Sequence, residues 1–442
     1  MRDSKPSRQP LSGWVKKMKY LAHSSASRST PSPTRLAVGF NEGTFAWLGL
    51  AVLILGAALW TSFGSLVEHT DFSLTYVGAR LVRTGHGSQL YDLQTQIAMR
   101  DSIFKQPNPL LYEHPPFEAL LFAPLSALPF RTAFLIWALV NACVWLFLPY
   151  YLRPHAPAPR DLLVYLALWV LFAPLGVALF QGQPSIILLL VFSATFIAWK
   201  RGGNGRAGFY LGLGLFRFQF VLPFLLIFVL RKKWRFLVGF LASATLAFLL
   251  SLVTVGWHGI LGYARLLLNI GHNPANVSYG SATDMPTLQG FVYAILGQRI
   301  STASILVIVA TLSLALIALV AWQWNRVDQN GTTEIMFAAG IVVSLITGFH
   351  MFTHDFSPLL LALLIVAAHF PAPDRRALRI ILATLMTLFW LPPVYFLLVA
   401  WHSMYPMFLP LLAFALATLY LARNPEAGMT IGARPGAKAV AS

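Results

Sequence analysis

Residues 302–324 read TASILVIVATLSLALIALVAWQW, a run with no charged residue. Coiled into a helix it extends over about 30 Å, the thickness of a bilayer's hydrocarbon core. Similar runs occupy 43–67, 131–152, 161–180, 184–199, 234–255, 334–349, 356–370, 379–400 and 404–421. The composition agrees with them. The 442 residues are 57% hydrophobic and 11% charged, and the mean hydropathy is +0.66. Soluble domains carry about 25% charged residues. The expected fold is therefore an all-α, polytopic integral membrane domain over 43–422. It has about twelve crossings and a short half-helix, 116–128, that dips in without spanning. Cys143 is the single cysteine, so no intrachain disulfide forms.

The net charge of +17 reads as membrane topology rather than nucleic-acid binding, because the basic residues flank apolar runs. The N-terminal stretch 1–42 is polar, basic and rich in Ser and Pro, without the apolar core of a signal peptide. It reads as a cytoplasmic, partly disordered tail, and 11–22 within it as either a basic amphipathic helix or a solvated segment. If 207–230 is a hairpin of two short helices, Arg153, Arg160, Lys200, Arg201, Arg206, RKKWR (231–235), Arg326, Arg375, Arg376, Arg379 and the tail 423–442 share the N-terminus's side. The other side keeps only Arg80, Arg83, Arg100, Lys105, Arg131, Arg217, Arg265 and Arg299. That bias places both termini in the cytoplasm. It also puts two long polar loops, 68–115 and 256–300, on the external face, with the motifs HTDFS, FQGQPS, LFRFQ and FHMFTHDFS.

Each motif has two readings. Asp71 is a general base at the lipid–water boundary or the cap of the helix that FSLTYVGARLV forms. Glu113 and His114 line a site or are solvated loop residues before the Pro115–Pro116 pair. Arg217, with Gln219 in a strongly apolar run, is a ligand for a phosphate head group or snorkels to lipid phosphate. His350 and His354, spaced i, i+4, share one face if helical; with Asp71 or Asp355 they form a metal site, or they are hydrogen-bonded loop histidines, or His354 binds phosphate or positions an acceptor hydroxyl. No compact metal-ligand cluster, Walker A sequence or dinucleotide fingerprint is present, so neither metal nor other cofactor is expected.

The motifs DFSLTYVGARLVRTGHGSQLYD, YEHPPFEALLFAPLSALPF, FQGQPSIILLL, LFRFQ, MPTLQG and THDFSPLLL, in this order from about 68 to 370, resemble glycosyltransferase family 87, membrane enzymes of the GT-C class. The resemblance is to the uncharacterised bacterial branch. It implies an inverting transfer from a polyprenyl-phosphate sugar to a glycolipid or glycan at the external, periplasmic face of the inner membrane. It implies Asp71 as base, Arg217 and His354 at the donor phosphate, and Gln183, Gln219, Glu113, His114, His350 and Asp355 lining the site. The family often has Lys-Pro-Gln where this chain has Arg217, Phe218 and Gln219. Two rivals stand beside it: a transporter or flippase of a lipid-linked saccharide, and a scaffold without catalysis. The half-helix 116–128 and the hairpin 207–230 are expected to frame the groove for the donor's lipid tail.

Overall fold

The computed structural model describes residues 65–104, 110–157, 159–272, 281–327 and 333–423, with Trp47, Leu50, Ile54 and Gly56. All of these belong to one compact unit, Trp47–Ser442. The tail 1–42, nearly all of the span 43–67 and the tail beyond Arg423 lie outside the described residues.

Among the described residues the fold is all-helical, without strands. In chain order the helices are α1 (Phe72–Arg83), α2 (Leu93–Ile103), α3 (Pro116–Phe122), α4 (Phe130–Leu152), α5 (Leu162–Leu171), α6 (Ala173–Gln181), α7 (Ser185–Lys200), α8 (Asn204–Gly212) and α9 (Phe218–Leu230). They continue with α10 (Trp234–His272), α11 (Leu288–Leu296), α12 (Thr302–Val327), α13 (Thr333–Ile346), α14 (Leu359–Ala368), α15 (Arg376–Phe389), α16 (Pro392–Ala400) and α17 (Phe408–Arg423). Side-chain caps start several of them. Asp92 accepts from Thr95 N at 2.8 Å, Asp161 from Val164 N at 2.9 Å, and Thr287 from Gly290 N at 3.1 Å. Prolines break others: Pro174 follows the bend between α5 and α6, and Pro392 opens α16 after the bend from α15.

Among the described residues four helices are long and apolar enough to cross a bilayer, or up to seven if each bent pair is one span. The bent pairs are α5–α6, α8–α9 and α15–α16, inclined at 50°, 58° and 60°. The expected twelve are not reached by this measure, because the span 43–67 lies almost wholly outside the described residues and three of the expected runs form helices shorter than 18 residues. Several apolar runs form short helices in the middle of the bundle. α13 has 14 residues, about 21 Å of helix, and every residue from Ile335 to Ile346 is buried. α14 is likewise buried from Leu359 to Val366. α10 and α12 are instead mostly unburied within the protein and turn Val238, Leu241, Val253, Val307 and Leu314 outward. So broad an apolar surface is one that lipid covers.

The bundle has two chemically distinct ends. At one, Lys200 pairs with Glu334 at 2.8 Å, and Arg231 lies 4.1 Å over the Trp324 ring while bonding Asn325 at 3.2 Å. The segment 207–230 leaves this end and returns to it. Gly205 lies against the Arg235 carbonyl and Gly212 against Ser243, so α8 rises beside α10. On the way back Phe220 packs at Gly348, and Phe228 stacks on Phe236 at 3.9 Å. At Gly208 a Cβ would sit 1.8 Å from the Phe236 carbonyl oxygen, so only glycine permits this approach. Arg217 sits at the turn between α8 and α9, in a 3₁₀ turn at the opposite end.

Both expected external loops carry helices. The stretch 68–115 contains α1 and α2. The stretch 256–300 is not a loop at its start, because α10 continues to His272 past a kink at Gly256, with φ 66° and ψ −178°. The half-helix is α3, only 7 residues long, followed by the 3₁₀ turn Leu125–Ala127. Arg80 and Arg83 fasten that turn, donating to Ser126 O at 2.8 Å and Ser126 Oγ at 3.2 Å.

Candidate active site

The motifs HTDFS, YEHPPF, FQGQPS, LFRFQ and FHMFTHDFS converge on one cavity of about 810 Å³. Asp71, Glu113, His114, Gln183, Arg217, Gln219, His350, His354 and Asp355 all line it.

Asp71 precedes α1 but does not cap it. Its backbone is helical, at φ −62° and ψ −22°, and its side chain accepts nothing from the helix. The carboxylate is turned into the cavity instead. Gln183 Nε2 donates to Asp71 Oδ2 at 2.8 Å, and His354 Nδ1 lies 4.0 Å from the same oxygen. Gln181 Oε1 accepts from the Asp71 backbone N–H at 3.3 Å. The capping alternative is thus replaced by a tertiary role.

Gln183 is held by the turn after α6, where Gly182 adopts φ 66°. Its Oε1 accepts a hydrogen bond from Arg217 Nη2. One amide therefore bonds both the carboxylate and the guanidinium. Arg217 is buried, 3% exposed, which excludes snorkelling to lipid. Its Nη1 also reaches His114 Nε2 at 3.2 Å and the Phe216 carbonyl at 3.3 Å. Its Nε is 3.7 Å from Asp355 Oδ1.

Asp355 is fixed from two sides. Ser185 Oγ donates to Oδ1 at 3.1 Å, and the Phe352 N–H donates to Oδ2 at 3.1 Å. His354 Nε2 lies 3.4 Å from Oδ2. The two histidines do not share a helical face: His350 is in an irregular loop and His354 in the 3₁₀ turn Thr353–Phe356. Glycine and proline around them disfavour an α-helix there, and the loop places each separately. His350 approaches Glu113 at 3.9 Å. Burial raises the Glu113 carboxyl to about 7, with His114 and Arg217 pulling against it. Burial lowers His350 to about 4, so this contact is not an ion pair at neutral pH. Among the described residues no group of three His, Cys, Asp or Glu side chains is placed to hold a metal ion.

The rest of the cavity is apolar. Leu171, Val177 and Phe180 of α5 and α6 face Pro392, Phe396 and Val399 of α16. Trp390 Nε1 donates to Leu168 O at 2.9 Å, tying the two bends together. This wall differs from the expected frame. The hairpin supplies Phe216 to Gln219, but the half-helix itself lines none of the cavity, and only the residues before it, among them Glu113, His114 and Pro115, do.

Sequence reasoning missed Gln181, Ser185 and Glu118. Glu118 Oε1 lies 3.0 Å from His114 Nδ1. The i, i+4 spacing of His114 and Glu118 across the first turn of α3 is a signal that was present in the chain.

A helical membrane protein with a buried arginine and a carboxylate at one end of an apolar cavity belongs among the polytopic membrane enzymes and transporters that handle amphiphiles. The profile of glycosyltransferase family 87 matches residues 112–348, more than half of the chain, and the chain belongs to that family. It is therefore a membrane glycosyltransferase. The match contains Glu113, His114, Gln183, Arg217 and Gln219, while Asp71, His350, His354 and Asp355 lie outside it. No curated protein and no solved structure matches the chain.

Proposed function

We propose that the protein transfers a sugar from a polyprenyl-phosphate donor to a hydroxyl of a glycolipid or glycan, with inversion, at the periplasmic face of the bacterial inner membrane. The topology that goes with this reading has about twelve crossings and both termini in the cytoplasm. One observation carries it: the amide of Gln183 holds Asp71 at one end and Arg217 at the other, within a cavity whose remaining wall is apolar. A base, a cation and an apolar surface are the three needs of this reaction.

In the reaction, Asp71 takes the proton of the acceptor hydroxyl through Oδ1, which has no hydrogen-bond partner among the described residues. The hydroxyl oxygen bonds to the anomeric carbon from the face opposite the phosphate. The bond between that carbon and the phosphate oxygen breaks, and its electron pair leaves with the polyprenyl phosphate. Arg217, with His354 beside it, stabilises the charge that collects there. The lipid tail lies along α6 and α16, where Phe180 and Phe396 are exposed.

Purified protein in proteoliposomes, given a panel of radiolabelled polyprenyl-phosphate sugars and membrane glycolipid, tests the reading. Wild type transfers label, and Asp71→Asn loses at least about a hundredfold, as removal of a general base requires. Full activity in Asp71→Asn overturns the assignment of the base.

A further inference from the structure

We propose that Glu118, which does not line the cavity, is a positioning residue that fixes the tautomer of His114 and through it the orientation of Arg217. The chain of contacts runs Glu118 Oε1 to His114 Nδ1 at 3.0 Å, then His114 Nε2 to Arg217 Nη1 at 3.2 Å. A guanidinium has donors only. Nε2 of His114 must therefore accept, the ring proton must sit on Nδ1, and Glu118 must accept it. The tautomer follows from the identity of the outer two groups.

The surroundings support a built arrangement. The side chain of Glu118 is 2% exposed. Its other oxygen, Oε2, is buried and has no hydrogen-bond partner among the described residues. A buried carboxylate is costly, and the bond to His114 is the single hydrogen bond its side chain makes there. The backbone that carries His114 is pinned as well. Tyr91 donates to the His114 carbonyl at 2.7 Å and Tyr112 to the Pro115 carbonyl at 2.8 Å. Gln96 clamps Tyr112, accepting from its N–H at 2.7 Å and donating to its carbonyl at 3.1 Å. Ser251 Oγ accepts from Phe117 N at 3.2 Å. Pro115, at φ −59° and ψ 147°, sets the extended step into α3, and Pro116 opens the helix. That step puts Glu118 one turn beyond His114, directly behind its ring.

With the proton on Nδ1, the lone pair of Nε2 draws one arm of the guanidinium back, while Gln183 draws the other. The Nε edge is left toward Asp355 and the cavity. Without the acceptor at 118, the ring is free to take the opposite tautomer. Nε2–H then points at Arg217 and pushes the guanidinium off its position.

The inference rests on the reading of Arg217 as the phosphate ligand, but its first test does not. In protein labelled with ¹⁵N-histidine, the ring signals lost in His114→Gln belong to His114. The expected spectrum has Nδ1 protonated and Nε2 bare in the wild type, and the Nε2–H form populated in Glu118→Met. A wild-type ring protonated on Nε2, or a tautomer indifferent to Glu118→Met, overturns the proposal. The second test is binding of undecaprenyl phosphate to the reconstituted full chain. Glu118→Met weakens it by about ten- to thirtyfold, whereas Glu118→Gln, whose carbonyl can still accept, stays within about fivefold. In a His114→Ala background Glu118→Met adds less than about twofold. Equal losses in the Gln and Met variants, or additive losses with His114→Ala, also overturn it. A wild type that fails to bind undecaprenyl phosphate counts against the donor reading, and Glu118 is then judged by the tautomer alone.

Discussion

Replacing Gln183 by Met keeps the volume of the side chain and removes both of its hydrogen bonds. The amide donates to Asp71 at 2.8 Å and accepts from Arg217, and Gln183 is itself only 5% exposed. Hydrogen bonds to charged groups are worth about 1.5–3 kcal/mol each. At Asp71, whose side chain is 26% exposed, water replaces much of the loss. At Arg217, with a side chain 4% exposed, it does not, and the guanidinium must move to find another acceptor. A misplacement worth about 2–3 kcal/mol in the transition state lowers the rate about 30- to 150-fold. The assay is kcat/KM for labelled donor in proteoliposomes, with thermal unfolding measured on the same samples. Gln183→Glu separates the two ends of the amide, because a carboxylate still accepts from Arg217 but has nothing to donate to Asp71. A folded Gln183→Met enzyme within threefold of wild type would falsify the idea that this amide organises the site.

Three further outcomes are expected. Because burial raises Glu113 from 4.5 to about 7, the unfolded chain ionises there first, and stability falls from about pH 4.5 to 7 and then levels off. Above pH 7 its negative charge also faces the cavity with Asp71, so the donor KM should rise between pH 6 and 8 and Glu113→Gln should flatten that rise; an unchanged profile in the variant rejects this. Gly208→Ala puts a Cβ 1.8 Å from the Phe236 carbonyl oxygen, an overpacking of about 1–3 kcal/mol, and the melting temperature of detergent-purified protein should drop. Phe396→Asp places a charge on the apolar wall, so long-chain donors should lose about tenfold or more in KM while short-chain donors are spared; equal losses for both would move the tail elsewhere.

How much of this was legible in the chain depends on the range of the interaction. The uncharged run 302–324 announces a span because helix length and hydropathy are local properties, and α12 is the result. The same hydropathy did not reveal that α13 and α14 are buried inside the protein rather than turned to lipid. A transfer scale reports only that a side chain leaves water, and protein interior and lipid serve equally well. The bends at Phe172 and Trp390 were foreshadowed by Pro174 and Pro392, although 161–180 and 379–400 were read as continuous. The site itself is almost wholly nonlocal. Asp71 meets Gln183 from 112 positions away, and Ser185 meets Asp355 from 170. No local pattern encodes such pairings, so the motifs showed which residues were unusual but not which of them touch. His350 and His354 show the limit of spacing alone: the i, i+4 interval allowed a shared helical face, and the residues between two spans lie in a loop and a 3₁₀ turn instead.

The arrangement around Arg217 bears on how one cation could serve a phosphate while two carboxylates stand beside it. His114, the Phe216 carbonyl and Gln183 occupy the two terminal nitrogens of the guanidinium. The Phe216 carbonyl and the Gln183 amide carry no formal charge, and neither brings an anion to the fork that it orients. Asp355 does carry charge, but it stands 3.7 Å from Nε, beyond hydrogen-bonding distance. Its own oxygens are taken by Ser185 and by the Phe352 N–H. Asp71 is kept from Arg217 by the Gln183 amide that both share. The cation is thus oriented by three acceptors, while its nearest carboxylate, buried beside it, makes no direct hydrogen bond to it. A monoanionic phosphodiester arriving at the Nε edge would meet an oriented donor whose N–H is not yet given to a hydrogen bond among the described residues, and catalysis by electrostatic preorganisation asks for that condition.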